Sequence, residues 1–271
     1  MQSDVVVAQV LESSKYRTLC PDVIRRVAER EIARSRSLKT AVKATKNTLH
    51  QIAGAYLEGK PKYSHWAQTV TEIWSQTVMD TGKVERLALA REWMRHHAST
   101  AERLPFVEDF YRALFTEVGS PISSVLDVAC GLNPLAIPLM PLSAHPQYFA
   151  CDIFSDQAEF LHKWMFYIAD VVGSAEVRDV IDSPPTQAAD VALVLKLLPV
   201  LEQWDKNAGI ALLRALNCPI LIVSFPTRSL SGKSKGMADN YAARFLAQIE
   251  PEGWHAVRFD FPNELAFVVR K

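Results

Sequence analysis

One short segment carries the clearest structural signal in the chain: Val125-Leu126-Asp127-Val128-Ala129-Cys130-Gly131-Leu132-Asn133-Pro134. It predicts a buried strand with an acid at its end, running into a turn of small residues. Some twenty residues later, Tyr148-Phe149-Ala150-Cys151-Asp152 predicts a second apolar strand that also ends in an acid. Strand, tight turn, helix, strand and acid is how an open α/β sheet binds an adenosine-containing cofactor, because the second acid accepts hydrogen bonds from the ribose hydroxyls.

The turn lacks the full glycine pattern of a dinucleotide site, since Ala129 and Asn133 stand where two of its three glycines would be. Pro134, Pro138 and Pro141 follow at once, and proline removes the N–H donors that a pyrophosphate needs at a helix N-terminus. The turn therefore favours a ligand without phosphate there, such as S-adenosylmethionine (SAM). Taken alone, it leaves an ordinary strand and loop of an α/β core as an equal alternative.

Charge is balanced over the whole chain but uneven along it. The 271 residues can form one large core, or a medium core plus a smaller domain, and 30 basic residues balance 30 acidic ones. Between Lys15 and His50, however, ten Lys and Arg residues face three acids. This local excess favours a polyanionic partner, with a solvated helix face as the alternative.

The cysteines and the N-terminus indicate the compartment. The four cysteines have no CxxC spacing, so we expect neither disulfides nor a zinc site or other metal, and a reducing environment. The N-terminus has no basic leader, and no apolar run approaches the length of a membrane span. The sequence predicts a cytoplasmic protein that does not contact a membrane.

Hydrophobic spacing predicts two domains. Residues 1–118 are expected to be all-helical, with helices near 5–11, 23–32, 38–52, 66–79, 84–97 and 100–118. Residues 119–271 alternate short apolar strands with helices, which favours a mostly parallel sheet. The predicted strands are 123–129, 147–152, 175–179, 190–196, 219–225, 254–261 and 264–270, and the predicted helices are near 155–171, 204–216 and 237–249.

The connection between the last two predicted strands, Pro262-Asn263, is too short for a crossover, so these strands must form an antiparallel hairpin. The predicted fold is therefore α/β: a Rossmann-like SAM-dependent methyltransferase with a seven-stranded sheet and an antiparallel C-terminal hairpin, preceded by the helical domain.

Several segments follow one another in order along nearly the whole chain: Ser14-Lys15-Tyr16-Arg17 with Pro21 and Arg25-Arg26, Leu49 to Tyr56, His97 to Leu104, Asp127 to Leu135, Leu195 to Pro199, Val223 to Leu230, Lys235-Gly236-Met237 with Asn240-Tyr241, and Asn263-Glu264-Leu265. Together they resemble the aminoglycoside-resistance 16S rRNA methyltransferases, which methylate N7 of a decoding-site guanosine. The spacers 57–92 and 138–147 are long or unusual but contain no motif residue.

The resemblance implies SAM as cofactor, with Asp152 at the ribose, Asp179 at the adenine amine and Arg103 at the methionine carboxylate. Lys196 follows a fully apolar strand, so it needs an anionic or carbonyl partner there. The full predicted set of cofactor residues is Ser99, Arg103, Ala129, Gly131, Asn133, Asp152, Ile153, Asp179, Val180, Lys196 and Leu197. Asp127 is expected to orient the turn.

The partner implied is 16S rRNA within the small (30S) ribosomal subunit, and a monomer with no obligate protein partner is expected. A pocket for the extruded base is predicted from Phe225, Pro226, Met237, Asn240 and Tyr241. RNA contacts are predicted at Lys15, Arg17, Arg25, Arg26, Lys43, Lys46, Arg228, Lys233 and Lys235.

Guanine N7 carries no proton, so its attack on a methyl group needs no general base, and no catalytic base is predicted. This agrees with Leu195-Lys196-Leu197-Leu198-Pro199 after the fourth strand, where methyltransferases acting on exocyclic amines commonly have an Asn/Asp-Pro-Pro-Tyr box. Two alternatives remain open: a small-molecule SAM methyltransferase whose helices form a lid, and a non-catalytic RNA-binding assembly factor.

Overall fold

Helices come first and the sheet follows. A computed structural model describes residues 2–53, 56–57, 61–76, 83–119, 121–227 and 236–271. Seven α-helices precede the sheet in these ranges: α1 (Gln2–Leu11), α2 (Pro21–Arg34), α3 (Leu38–Ile52), α4 (Tyr63–Gln76), α5 (Lys83–Met94), α6 (Ala98–Arg103) and α7 (Val107–Val118). Short 3₁₀ helices lie at Leu104–Phe106, Asn133–Leu139 and Glu250–Glu252.

The sheet has seven strands in the order β3-β2-β1-β4-β5-β7-β6. They are β1 (Ser124–Val128), β2 (Gln147–Asp152), β3 (Val172–Val177), β4 (Val191–Leu195), β5 (Ile220–Pro226), β6 (His255–Phe261) and β7 (Glu264–Arg270). The pairs among β1 to β5 are parallel, whereas β7 is antiparallel to both β5 and β6. The predicted fold and its C-terminal hairpin are confirmed.

Helices cover both faces of the sheet, so the central strands are apolar on both sides. On one face, α4, α5, α7 and α8 (Ser155–Tyr167) pack in a core with Val125 and Leu193. On the other face, Leu126 and Val194 pack with α9 (Leu198–Glu202), α10 (Ala208–Ala215) and α11 (Met237–Ile249). The strand order reverses between β1 and β4, which is where ligands bind in such sheets.

The first three helices have a small core of their own, which includes Val27, Leu49 and Phe154. Backbone hydrogen bonds tie this unit to the end of β2: Cys20 donates to Ile153 at 2.7 Å, and Ser155 donates to Thr18 at 2.7 Å. The later helices α4, α5 and α7 instead share the core of the sheet. The division into an RNA-docking domain (1–118) and a SAM-binding domain (119–271) stays a prediction.

Some predicted bounds were wrong. The third strand is Val172–Val177, not 175–179, because this edge strand is half exposed and Gly173-Ser174 gives little apolar signal. Within the helical stretch predicted over 100–118, a kink or new start at Pro105 is expected and confirmed: the stretch is interrupted at Leu104–Phe106, because proline lacks an amide hydrogen and restricts the preceding residue. The helix predicted over 204–216 begins only at Ala208. Met79, the predicted end of the fourth helix, lies outside the described residues.

Candidate functional site

The turn after β1 brings the backbone close to the predicted ligand position. Ala129 (φ 51°) and Gly131 (φ 53°) both adopt left-handed angles, which are cheap for glycine and uncommon for other residues. A Cβ atom at Gly131 would lie 2.9 Å from Cε1 of His97. The imidazole leaves no room for a side chain at this position, and glycine also adopts the left-handed angle at little cost.

Asp152, at the end of β2, holds the turn in place. Its Oδ2 accepts a hydrogen bond from the Gly131 N–H at 2.7 Å, and its Oδ1 accepts one from the Ile153 N–H at 2.6 Å. Burial raises the pKa of this carboxyl, although the two N–H donors favour its ionised form. Each oxygen keeps a further acceptor position, so Asp152 can accept hydrogen bonds from a ribose diol while it fixes the turn.

Asp127 lies beneath the turn and is only 1 % exposed. Its Oδ2 accepts hydrogen bonds from Asn133 Nδ2 at 2.9 Å and from the Tyr148 hydroxyl at 2.6 Å. Burial raises the pKa of Asp127 to about 7, against the opposing effect of these donors. These contacts suit a residue that orients the turn.

Asp179 follows β3 and meets a residue from the opposite end of the chain. Arg26, on α2, donates from Nε to Oδ2 at 2.8 Å and from Nη2 to Oδ1 at 3.0 Å. The guanidinium also lies 4.5 Å from the ring centroid of Trp204. All three side chains line one cavity, so a helical-segment residue forms part of its wall.

Lys196 and Arg103 belong to a buried polar network at the end of β4. Lys196 has a left-handed backbone (φ 57°), and its Nζ lies 2.6 Å from Glu102 Oε2 and 3.5 Å from Glu264 Oε2. Glu102 is thus the anionic partner that the sequence argument required. Arg103 is fully buried, bonded to Glu264 through Nε and Nη2 and to Asn133 Oδ1 through Nη1 at 3.0 Å.

His97 is an uncharged group on the cavity wall. Burial, together with the nearby cations of Arg103 and Lys196, lowers its pKa to about 4. The imidazole is therefore neutral at physiological pH. Its ring is stacked on Tyr56, with centroids 6.3 Å apart.

The predicted base pocket lies at the end of β5 and the start of α11. Phe225 is 3 % exposed and stacks on Tyr241, with ring centroids 5.2 Å apart. Asn240 is exposed, while Pro226, Met237 and Tyr241 are half-buried. Burial raises the pKa of Tyr56, and the neighbouring Tyr241 and Glu102 raise it further.

The predicted RNA contacts fall in different environments. Lys15, Arg17 and Lys43 are exposed, and Lys46 is half-buried. The Arg25 side chain is 43 % exposed and pairs with Asp4 at 2.5 Å, whereas that of Arg26 is 12 % exposed and pairs with Asp179. The remaining three, Arg228, Lys233 and Lys235, lie outside the described residues.

Nine of the eleven predicted cofactor residues line the cavity; Arg103 and Gly131 do not. Sequence reasoning did not assign several lining residues to the cofactor, including Arg26, Tyr56, His97, Gln157 and Trp204. Arg26, Tyr56 and His97 belong to segments that carry the family resemblance, and this was the signal available in the sequence. The described residues contain no cluster suited to a metal ion and no helix long and apolar enough to cross a membrane. Their cysteines, four in number, are buried and free.

The family described as "Ribosomal RNA methyltransferase (FmrO)" matches residues 12–268. The chain is 43 % identical over 272 residues to a 16S rRNA (guanine(1405)-N(7))-methyltransferase of Frankia casuarinae, covering 99 % of this chain and 93 % of that protein. A protein of the same name from Serratia marcescens is 34 % identical and covers 100 % of this chain and 99 % of its own length.

Two solved structures are also similar to this chain along almost its whole length. The 16S rRNA methyltransferase RmtF in complex with S-adenosyl-L-homocysteine is 30 % identical, with a TM-score of 0.81 over 100 % of this chain and 98 % of that one. The 16S rRNA methylase RmtB is 29 % identical, with a TM-score of 0.78 over 99 % of this chain and 98 % of that one.

Proposed function

Because the chain belongs to the FmrO family of ribosomal RNA methyltransferases, we propose that it transfers the methyl group of SAM to N7 of guanosine 1405 of 16S rRNA. The proposal rests on the 43 % identity, over 99 % of this chain, to the 16S rRNA (guanine(1405)-N(7))-methyltransferase of Frankia casuarinae. The cavity at the carboxyl ends of β1, β2 and β4 is consistent with it.

The cavity residues fit SAM. Asp152 can accept hydrogen bonds from the ribose hydroxyls, and Asp179 can accept one from the adenine amine. The buried Val180 lines the cavity next to Asp179. When bound, SAM supplies an electrophilic methyl group on a sulfonium. Lys196, on the cavity wall at the end of β4, would be a charge partner for the methionine carboxylate. Arg103, the partner implied by the resemblance, lies behind this wall, fully buried and paired with Glu264.

The protein's contribution to the reaction is alignment and exclusion of water. N7 attacks through an in-plane lone pair, so no side chain has to remove a proton from it. Most titratable groups on the cavity wall are already engaged: Asp127, Asp152 and Asp179 in hydrogen bonds, and Lys196 in its ion pair. His97 is neutral because of its burial. We expect no variant whose only defect is the loss of a proton transfer.

The substrate we propose is the assembled small subunit, with the enzyme acting as a monomer. Exposed cations at Lys15, Arg17 and Lys43 would contact phosphates of folded RNA. We propose that the half-buried ring of Tyr241, stacked on the buried ring of Phe225, packs against an extruded base.

Radiolabelled SAM tests the proposal. Purified protein is incubated with labelled SAM and with either intact small subunits or naked 16S rRNA, and we expect label in the subunits. Expression in a sensitive bacterium is expected to raise resistance to kanamycin and gentamicin. Full drug sensitivity with well-expressed protein, and no label in either RNA substrate, would contradict the proposal.

Binding measurements beside the labelling experiment separate the two alternatives. A non-catalytic assembly factor would bind small subunits without transferring label. A small-molecule methyltransferase would bind SAM in a calorimeter but show no salt-dependent affinity for small subunits.

A further inference from the structure

We propose that Arg26 is a positioning residue for the cofactor: it orients Asp179 to accept the adenine amine and thereby makes the cavity selective for adenine. The inference rests on the proposed function insofar as Asp179 meets the adenine of SAM. It gives a residue of the basic helical segment a role in cofactor recognition.

The geometry of the ion pair is the first argument. The guanidinium approaches Asp179 with two parallel N–H donors, at 2.8 Å and 3.0 Å. Such a two-pronged contact fixes the plane of a carboxylate as well as its position. The two side chains are only 12 % and 4 % exposed, so water competes little for the pair.

The count of acceptor positions is the second argument. The two carboxylate oxygens offer about four lone-pair positions. Oδ1 accepts from Arg26 Nη2 and from the Ile181 N–H at 3.1 Å, and Oδ2 accepts from Arg26 Nε. One acceptor position is left on Oδ2, and Asp179 lines the cavity. An adenine amine can donate to that position, whereas the carbonyl oxygen of hypoxanthine would be repelled there.

Arg26 is itself held in place. Its guanidinium carbon lies 4.5 Å from the ring centroid of Trp204, and that of Arg30, one helical turn later, lies 4.6 Å from the same ring. Trp204 lines the cavity and also packs against the core of α1, α2 and α3. These contacts leave the Arg26 guanidinium unavailable to an RNA phosphate while the ion pair is intact.

Arg25 provides a matched control on the same helix. Its side chain is 43 % exposed and pairs with Asp4, which is 56 % exposed. Arg25 does not line the cofactor cavity. Replacing either arginine with glutamine removes the same charge from adjacent positions, but only one replacement frees the Asp179 carboxylate.

Calorimetry with two ligands tests the proposal on the full chain. The ligands are S-adenosyl-L-homocysteine and S-inosyl-L-homocysteine, in which a carbonyl replaces the adenine amine. We expect the natural protein to prefer the adenosyl ligand by at least about tenfold, the effect of one hydrogen bond to a charged acceptor. R26Q is expected to reduce the preference below about threefold, R26K to give an intermediate value, and R25Q to leave it unchanged.

An unchanged preference in R26Q, or an equal loss in R25Q, would overturn the proposal. Thermal unfolding shows whether each variant is folded. If R26Q does not fold, R26K decides, and full preference in R26K would likewise overturn the role of the two-pronged contact. Failure of the natural protein to bind either ligand would instead count against the proposed function.

Discussion

Arg103 and Glu264 form a fully buried two-pronged ion pair, with Nε 3.0 Å from Oε2 and Nη2 2.6 Å from Oε1. The pair joins α6 to the first residue of β7 and lies beside Lys196 and Ser224, whose hydroxyl donates to Glu264 at 2.6 Å. Burial alone would raise the pKa of Glu264, but the two cations and the hydrogen bonds outweigh it and lower that pKa. Glu264 is therefore the buried counter-ion of Arg103, and Glu102 is the main counter-ion of Lys196.

Glu264→Gln is expected to destabilise the protein by about 3 to 5 kcal/mol, because it leaves a buried guanidinium without its counter-ion. Urea unfolding at neutral pH measures the change. Glu108→Gln is the control. It breaks the ion pair between Glu108, whose side chain is 59 % exposed, and Arg91. This variant is expected to lose less than about 1 kcal/mol of unfolding free energy. An equal loss of unfolding free energy in the two variants would contradict the role of Glu264 as a buried counter-ion.

The pH dependence of stability is expected to contain a contribution from Asp127. Its pKa is about 7 in the folded protein and about 3.9 in an unfolded chain. The folded state therefore binds the extra proton, and this contribution to stability falls as pH rises from about 4 to about 7, by at most about 4 kcal/mol.

Asp127→Asn removes the titrating group and retains an oxygen for Asn133 and Tyr148. Urea unfolding at pH 5 and pH 8 is expected to show a smaller loss of stability with rising pH in the variant than in the natural protein. Identical pH slopes in the two proteins would refute the shifted pKa.

Asp152→Asn is expected to weaken SAM binding at least about tenfold. The carboxylate has two oxygens that accept hydrogen bonds, from the N–H groups of Gly131 and Ile153 and from the ribose hydroxyls, whereas the amide has only one such oxygen. Calorimetry measures this affinity, and binding to small subunits is expected to stay unchanged. Asp156→Asn, on the first turn of α8, is the control. Parallel loss of cofactor and subunit binding would show that Asp152 acts only on the fold.

Charge reversal at Lys15, Arg17 and Lys43, which are exposed, is expected to weaken binding to small subunits and to reduce its dependence on salt, with SAM affinity unchanged. Lys163→Glu, on α8, is the control for each single reversal, because it makes the same change of charge outside this segment. Arg26 is left out because its side chain holds Asp179. A normal salt slope in the triple variant would exclude this docking surface.

The sequence indicated the elements whose signals are local. Two apolar strands ending in acids predicted the turn and Asp152, and the short link at Pro262-Asn263 predicted the hairpin that the structure confirms. The edge strand β3 was misplaced because Gly173 and Ser174 interrupt its apolar pattern.

Contacts between distant parts of the chain could not be predicted in this way. Arg26 and Asp179 are separated by 153 residues, and Arg103 and Glu264 by 161. A basic residue in a basic segment indicates a phosphate partner, and an acid after a two-residue turn indicates a solvated hairpin. Only the folded arrangement shows that Arg26 and Glu264 are buried in ion pairs with Asp179 and Arg103.

Mapping the methylated nucleotide shows whether guanosine 1405 is the target of the enzyme. Small subunits are treated with the protein and SAM, their 16S rRNA is cleaved chemically at N7-methylguanosine, and the cleavage site is located by primer extension. We expect one new stop, which marks cleavage at guanosine 1405 and requires both protein and SAM. A stop at another nucleotide, or no stop although label is incorporated, would contradict it.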